Sequence, residues 1–406
     1  MAKIIVVGGS LGGLLVANML CRAGHEVTVL EKALVSLDGR GAGIVTHSLL
    51  VAAMERCGVK MDVSLGVNVS DRIVLAKDGS VLDRASVPQV LSSWSRLYAL
   101  LLAGFESSHY LRGASVKRVM EHGNGVTVLC EDGRNFDADL VIASDGIRSA
   151  VRAQFAPDVQ AEYAGYVAWR GVCDESVLSP HALSTLFSSF GFCVPPGELI
   201  IGYPVAGAGN SIATGQRRYN FVWYRPTSGE GKLRALLTDA DGICYPLGIP
   251  PNKVASQHVN AVQQAARELL APQFAEVIAK TRQPFLQAIY DCSSSKIAFG
   301  RVALMGDAAF VARPHVGMGV TKAAEDAMAL TDLITAHGAT PQALQAFEQR
   351  RLAPARAAVS RARALGDRML AQGEWGAGCV ARTMMLETAI DLSEKPLEKI
   401  IEFEQV

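Results

Sequence analysis

The chain has 406 residues, 50% of them hydrophobic, enough for two or three domains with substantial cores. Lysine plus arginine equals aspartate plus glutamate at 39 each, so no net charge draws the chain to nucleic acid or to an anionic membrane. The 8 cysteines are scattered with no C-x-x-C spacing, which argues against metal sites and a dense disulfide framework and fits a reducing cytoplasm. No basic segment leads into an apolar one near the start, so no signal peptide is expected. The apolar run from Leu97 to Phe105 falls far short of the roughly 18 residues of a membrane span, so no stable membrane insertion is expected.

Lys3 to Val7 is a buried-strand pattern. Gly8-Gly9-Ser10-Leu11-Gly12-Gly13 follows, then a helical run from Leu14 to Ala23, with Gly24 where a helix C′ residue belongs. His25 to Leu30 reads as a second strand, ended by Glu31. This is a complete βαβ opening. Its glycines make a tight turn and let the backbone approach a pyrophosphate, and the helix N-terminus is aimed at it. Glu31 is placed to accept ribose hydroxyl bonds. The expected dinucleotide contacts are therefore Gly8, Ser10, Leu11, Gly12, Glu31 and the adjacent Lys32. Ser10 stands in the middle glycine's place, and its hydroxyl can itself bond a phosphate.

Arg40 to Ile44 reads as a flexible turn, and His47 after it is a candidate base. Met54 to Val59 reads as a helix ending at Gly58. Val67 to Leu75 and Ser80 to Val87 then alternate around Lys77-Asp78-Gly79, a hairpin signal and an excursion into a second sheet. Ser95 to Leu102 is helical, with Arg96 facing either solvent or a cofactor. Ser115 to Met120 and Gly125 to Cys130 form another hairpin-like pair. Leu140 to Ala143 is a buried strand closed by Asp145-Gly146, and a helix starts at Ser149.

Residues 160–285 lack the βαβ rhythm. The strands Tyr163 to Val172, Glu198 to Val205 and Arg218 to Tyr224 hold most of this segment's aromatics, including Tyr203, Trp223 and Tyr224. Strand alternation lets only one of Trp223 and Tyr224 face a pocket. Ala255 to Lys280 is a helical stretch broken at Pro272.

Val302 to Met305 is again a buried strand. Gly306-Asp307 ends it, Pro314 and His315 follow, and Gly317-Met318-Gly319 opens an Ala-rich helix. This pattern combines a carboxylate that accepts hydroxyl hydrogen bonds with a fan of free amides that favours negative charge. A flavin needs both, for its polyol chain and for a ring edge that becomes anionic on reduction. Gly319 is expected to need backbone angles closed to other residues. Gln342 to Leu370 is a long arginine-rich helical pattern with Pro354 expected to kink it, read as a solvated or packing helix. The tail from Ala371 is expected to pack on the body or on a neighbour, which leaves a homodimer open.

Three stretches in this order resemble the para-hydroxybenzoate hydroxylase-like family of single-component FAD-dependent aromatic hydroxylases. They are Gly8–Gly13 with Glu31, Asp139 to Arg152 with its Asp145-Gly146, and Gly306-Asp307-Ala308 with Pro314. Arg96 in its Arg-Leu-x-x-Leu setting matches the family's FAD-contacting arginine. The resemblance covers nearly the whole chain. It is carried further by Gly43-Ile-Val45, by Tyr163 to Gly171, by Asn220 to Tyr224 and by Arg313-Pro-His315.

The resemblance implies an α/β fold: a Rossmann-like FAD-binding domain, an inserted antiparallel-sheet substrate domain and a long C-terminal helix. The expected boundaries are 1–70, 95–160 and 285–335 for the FAD domain, 71–94 and 161–284 for the substrate domain, and 336–406 for the C-terminal region. It implies FAD held by the residues above together with Arg96, Asp145, Asp307, Gly317, Met318 and Gly319. NAD(P)H would be the reductant, and O2 would give a flavin C4a-hydroperoxide that hydroxylates a small hydroxypyridine- or phenol-type ring. His47, Tyr203, Pro314 and His315 are the candidate catalytic residues, and His47, Tyr203, Trp223 and Tyr224 the candidate substrate contacts. The alternatives on the same fold are Baeyer–Villiger or ring-cleaving oxygenation, and a flavin reductase that inserts no oxygen.

Overall fold

The computed structural model describes residues 1–37, 43–60, 65–371 and 377–391. The expected turn at 40–42 and the tail beyond 391 lie outside the described residues.

Lys3–Val7 and Leu140–Ala143 are almost wholly buried strands, as near-continuous apolar runs should be in a parallel sheet covered on both faces. Lys3–Val7 pairs in parallel with Glu26–Glu31 on one side and with Leu140–Ala143 on the other. Leu140–Ala143 pairs in parallel with Val302–Leu304, and Tyr110–Arg112 extends the opposite edge. The chain thus leaves the first strand in both directions, and the crevice at the strands' carboxyl ends is the topological switch point of the sheet. Gly8, Glu31, Ser144 and Met305 stand at those ends. The helices Leu11–Arg22 and Gly319–His337 start there.

The second sheet is larger and mostly antiparallel. Its order is Gly248–Ile249, Phe285–Ser293, Glu162–Asp174, Arg218–Pro226, Leu199–Val205, Ser189–Cys193, Val67–Leu75, Val81–Ser93 and Gly43–Thr46. Helices Ser256–Leu269 and Pro272–Lys280 cover one face, over a core that includes Trp169, Phe221, Trp223 and Phe274. The other face packs Tyr166, Tyr203 and Tyr224 with Val316, Met318, Leu365 and Met384. Gly43–Thr46 lies in the segment expected to belong to the first domain, yet it pairs with Val81–Ser93 in this sheet. That pairing explains why the second hairpin strand continues to Ser93, past the expected Val87. Val116–His122, Gly125–Cys130 and Asn135–Ala138 form a small third sheet.

The helix expected at Met54–Val59 is Ser48–Arg56, starting directly after His47. The arginine-rich helix Pro341–Leu370 runs unbroken with Pro354 inside it. Its arginines are spent within the molecule. Arg351 pairs with Asp326 and Glu325, Arg363 with Asp291, and Arg361 and Arg368 with Glu387. No helix among the described residues is long and apolar enough to cross a membrane.

Candidate active site

Three stretches far apart in sequence meet where the first helix begins. A Cβ placed on Gly12 would lie 2.8 Å from Ser144 Oγ, 3.3 Å from Ala323 Cβ and 4.0 Å from Met305 Cε. The glycine turn, the Asp145-Gly146 strand end and the helix opened by Gly319 therefore share one crevice. Gly8 has φ +101, and a Cβ there would lie 2.4 Å from Ser144 O. This position needs glycine for both conformation and room.

Ser10 sits at the N-cap of the first helix, but its hydroxyl makes no capping bond. Glu31 is buried; one carboxylate oxygen accepts the Gly9 N–H at 2.8 Å and the other the Ala33 N–H at 2.8 Å. The carboxylate thus fixes the glycine turn and keeps lone pairs for further donors. Lys32 beside it is exposed. Asp145 caps the helix Ala150–Phe155, accepting the Ala150 N–H at 2.8 Å, and its other oxygen has no partner. Arg96 reaches across to the second sheet's loop, donating to Asn210 O at 2.9 Å.

Asp307 stands in the short turn Gly306–Ala308, its side chain 52% exposed and 3.9 Å from the buried Lys322 Nζ. Pro314 opens the turn Pro314–Val316, and Gly317 ends it with φ +63. A Cβ on Gly317 would lie 2.5 Å from Ala389 Cβ, whereas one on Gly319 would meet nothing within 4 Å. The expectation that Gly319 needs special backbone angles is therefore corrected. It is an ordinary first residue of the 19-residue helix, and Gly317 is the left-handed one. The N-cap residue Met318 makes no side-chain capping bond to this helix, and Gly319 at its start is exposed. Uncapped amides at two helix starts and a free serine hydroxyl beside an acid suit a dinucleotide whose phosphates and ring edge are anionic.

The second sheet turns one face to this turn. His315 is fully buried, with Nε2 2.9 Å from Tyr166 Oη and its ring centroid 4.3 Å from that of Tyr224. Tyr203 lies against the Gly43 strand, where a Cβ on Gly43 would come within 2.3 Å of its ring. Burial pushes the Tyr203 phenol well above its usual range despite the nearby Arg170 charge, so Tyr203 stays protonated. It is unsuited to be a base. Trp223 is corrected more plainly. It faces Trp169 and Ile200 on the helix-covered side of the sheet, beneath the Arg225 guanidinium at 4.5 Å. Alternation gives the inward position to Tyr224.

His47 is buried. Its Nε2 lies 3.4 Å from Ala389 O and its Nδ1 2.8 Å from Thr321 Oγ1. A carbonyl can only accept, so Nε2 carries the proton and Nδ1 accepts from the Thr321 hydroxyl. Burial holds this imidazole below the ordinary histidine range, only partly offset by Asp391. The Ala377–Glu387 helix and its following residues thus border the site, as does Arg72, which donates to Met385, Thr388 and Ala389 carbonyls. Three residues missed in the sequence also face it: Tyr166, Arg170 and Asn220. Each is an even-numbered neighbour of Tyr224 across or along the sheet, so strand alternation was the signal that could have found them.

His315 carries a pH prediction. Burial, reinforced by the Arg313 charge, lowers its pKa to about 3. Below the ordinary histidine value the unfolded chain takes up a proton that the folded one refuses, so stability falls as pH falls. The expected slope is about 1.4 kcal/mol per pH unit between roughly pH 6 and pH 3. Denaturant unfolding across that range should show a shallower slope in His315→Asn; equal slopes would mean that His315 does not dominate this window.

A family model described as FAD binding domain matches residues 1–182 and 251–362, and one described as FAD binding domain-like matches 163–291. The chain is 29% identical over 376 residues to the 2,6-dihydroxypyridine 3-monooxygenase of Paenarthrobacter nicotinovorans, covering 93% of this chain and 94% of that protein. It is 26% identical to the 3-hydroxybenzoate 6-hydroxylase of Polaromonas naphthalenivorans, covering 91% and 88%. The solved structure of 2,6-dihydroxypyridine-3-hydroxylase from Arthrobacter nicotinovorans superposes with a TM-score of 0.87 at 29% identity, over 94% of this chain and 95% of that one.

Proposed function

The chain belongs to the FAD-binding-domain family of flavin-dependent monooxygenases, and on that premise we propose that it hydroxylates a small electron-rich ring of the hydroxypyridine or phenol type. The observation that carries this reading is the apposition of a buried aromatic sheet face, Tyr166, Tyr203 and Tyr224, to the Arg313-Pro314-His315 turn at the cofactor crevice. Bound FAD supplies the redox chemistry, taking hydride from NAD(P)H and activating O2 for transfer to the ring.

The chain's own residues bind, orient and exclude water. Ser10 and the amides of Leu11 and Gly12 would hold the pyrophosphate, Glu31 a ribose, Asp145 and Arg96 the middle of the cofactor, and Asp307 its polyol chain. The amides following Met318 would face the ring edge and stabilise its negative charge. The dry sheet face would hold the substrate ring, with Tyr203 and Tyr224 as donors. His47 would act one step removed, holding the Thr321 hydroxyl at the helix start.

The deciding experiment is a screen of hydroxylated pyridines and phenols for ring-stimulated NADH or NADPH oxidation, with product mass measured alongside. The expected result is a product heavier by one oxygen atom with its ring intact. Nicotinamide oxidation with no oxygen entering any ring would overturn the reading. The protein itself should purify yellow, with non-covalent FAD released by acid.

Glu31→Ala should weaken FAD binding by roughly 1.5–3 kcal/mol, the range for a hydrogen bond to a charged group. The loss should sit at the upper end, because the Gly9 and Ala33 amides are freed as well. Fluorescence titration of the apoprotein measures it, and unchanged affinity would mean that the second strand's end does not touch the cofactor.

A further inference from the structure

On the inward face of the second sheet the register builds a small grid. Ala168, Tyr224 and Leu199 are in line across three strands; Arg170, Val222 and Ile201 form the next row; Val172, Asn220 and Tyr203 the next. Opposed residues share a face, so Arg170, Asn220, Tyr203 and Tyr224 project to one side. Three of their polar atoms have no hydrogen-bond partner: Arg170 Nε, Asn220 Nδ2 and Tyr224 Oη. Asn220 and Tyr224 are both at 0% exposure. Buried donors are normally paired because leaving them unpaired is costly, so such a cluster marks a place where a bound molecule completes the bonding.

The chemistry of that molecule follows from what is offered. The Asn220 amide is oriented, since its Oδ1 accepts the Gly43 N–H at 3.0 Å and its NH2 must therefore point the other way. Arg170 can only donate. Burial raises the Tyr224 phenol to about 12, with the Arg170 charge opposing, so it too remains a protonated donor at neutral pH. No ion pair to Arg170 is formed among the described residues. The walls between these donors are Ala168, Leu199, Ile201 and Val222, and the His315 ring closes one side against Tyr224. An apolar sheet face that carries three unpaired donors side by side fits a planar ring whose edge carries negative charge.

We propose that Arg170 and Asn220, with the Tyr224 hydroxyl, form the subsite that selects the substrate, and that they select a ring bearing an anionic oxygen edge, either a carboxylate or a deprotonated ring oxygen. This rests on the ring-hydroxylase reading above and adds to it which side of the ring is recognised and by which charge.

The test uses the FAD-loaded protein and the shift in flavin absorbance as rings are titrated in. One pair of probes is 3-hydroxybenzoate and the neutral 3-hydroxybenzamide. A second is 2,6-dihydroxypyridine and the donor-edged 2,6-diaminopyridine. In at least one pair the anionic member should bind about 10- to 100-fold tighter, the range for a hydrogen bond to a charged group. The pair that discriminates identifies the source of the charge. Arg170→Met should reduce that preference to about twofold while FAD remains bound, the ion-pair contribution being the part removed. Asn220→Asp keeps the acceptor for Gly43 and turns the donor into an anionic oxygen. It should weaken the anionic probe about tenfold or more and leave the neutral probe unchanged.

A wild type that hydroxylates rings but binds both members of both pairs alike would overturn this inference and leave the functional reading standing. So would Arg170→Met or Asn220→Asp with an intact preference. If no ring perturbs the flavin or is hydroxylated, both fall together.

Discussion

A Gly319→Val variant is expected to fold normally, to bind FAD, and to consume nicotinamide while releasing hydrogen peroxide in place of hydroxylated product. Folding should be spared because Gly319 has ordinary helical angles and an added Cβ meets nothing within 4 Å. The same open space is what makes the substitution damaging. It lies at the start of the helix, where the proposed reading puts the anionic ring edge, and a branched side chain there would hold the ring away from the helix amides. A misplacement on the order of 1 Å at a reacting centre can cost about 100-fold, and coupled product formation should fall by that order. The measurement sets nicotinamide consumed, peroxide formed and product formed side by side. Gly317→Ala is the contrasting variant. Its φ of +63 and its 2.5 Å approach to Ala389 predict a stability loss and a displaced C-terminal segment, so melting temperature separates the two. If Gly319→Val couples as well as wild type, the helix start does not face the ring, and Asp307 becomes the residue to test.

The βαβ opening was legible from the sequence because it is local. Gly8 needs φ +101, Gly24 needs φ +88, and Glu31 falls at a strand end. The buried strand Leu140–Ala143 and the Asp145 turn were readable for the same reason. What could not be read was whatever depends on pairing between distant strands. Gly43–Thr46 looks like the sequel to a turn, and only its register with Val81–Ser93 places it in the second sheet beside Tyr203. Trp223 and Tyr224 were known to face opposite ways, but neighbours on other strands decide which way is inward. Arg170 was hidden because an arginine between Trp169 and Gly171 looks solvated until cross-strand partners bury its Nε. His47 was legible as a residue of interest but not as a partner of Thr321 and Ala389, which lie more than two hundred residues downstream.

An Asp291→Ala variant should lose about 3–5 kcal/mol of stability, the cost of breaking a buried ion pair by deleting one partner. Asp291 is 2% exposed and serves two arginines at once. One carboxylate oxygen accepts from Arg313 Nε at 2.8 Å and the other from Arg363 Nε at 2.8 Å. Without it, Arg313 keeps as a charged partner Asp367, whose side chain is 67% exposed and correspondingly weak, together with a long bond to the Arg363 carbonyl at 3.4 Å. Arg313 immediately precedes Pro314, and its guanidinium lies 5.8 Å from the Tyr166 ring, so the ion pair pins the turn that presents His315 to the sheet. The destabilisation should therefore be felt at the site as well as in the melt. FAD should dissociate at lower temperature than in wild type, and ring probes should bind more weakly, even where the protein remains folded. Asp291→Asn preserves shape and one acceptor while removing the charge, and should fall between the two. Thermal unfolding followed separately by flavin release and by far-ultraviolet circular dichroism checks this. Unchanged melting in Asp291→Ala would show that the turn is held by Pro314 and the Tyr166–His315 bond alone. A lowered melting temperature with unaltered ring binding would confine the ion pair to stability and release it from any part in shaping the site.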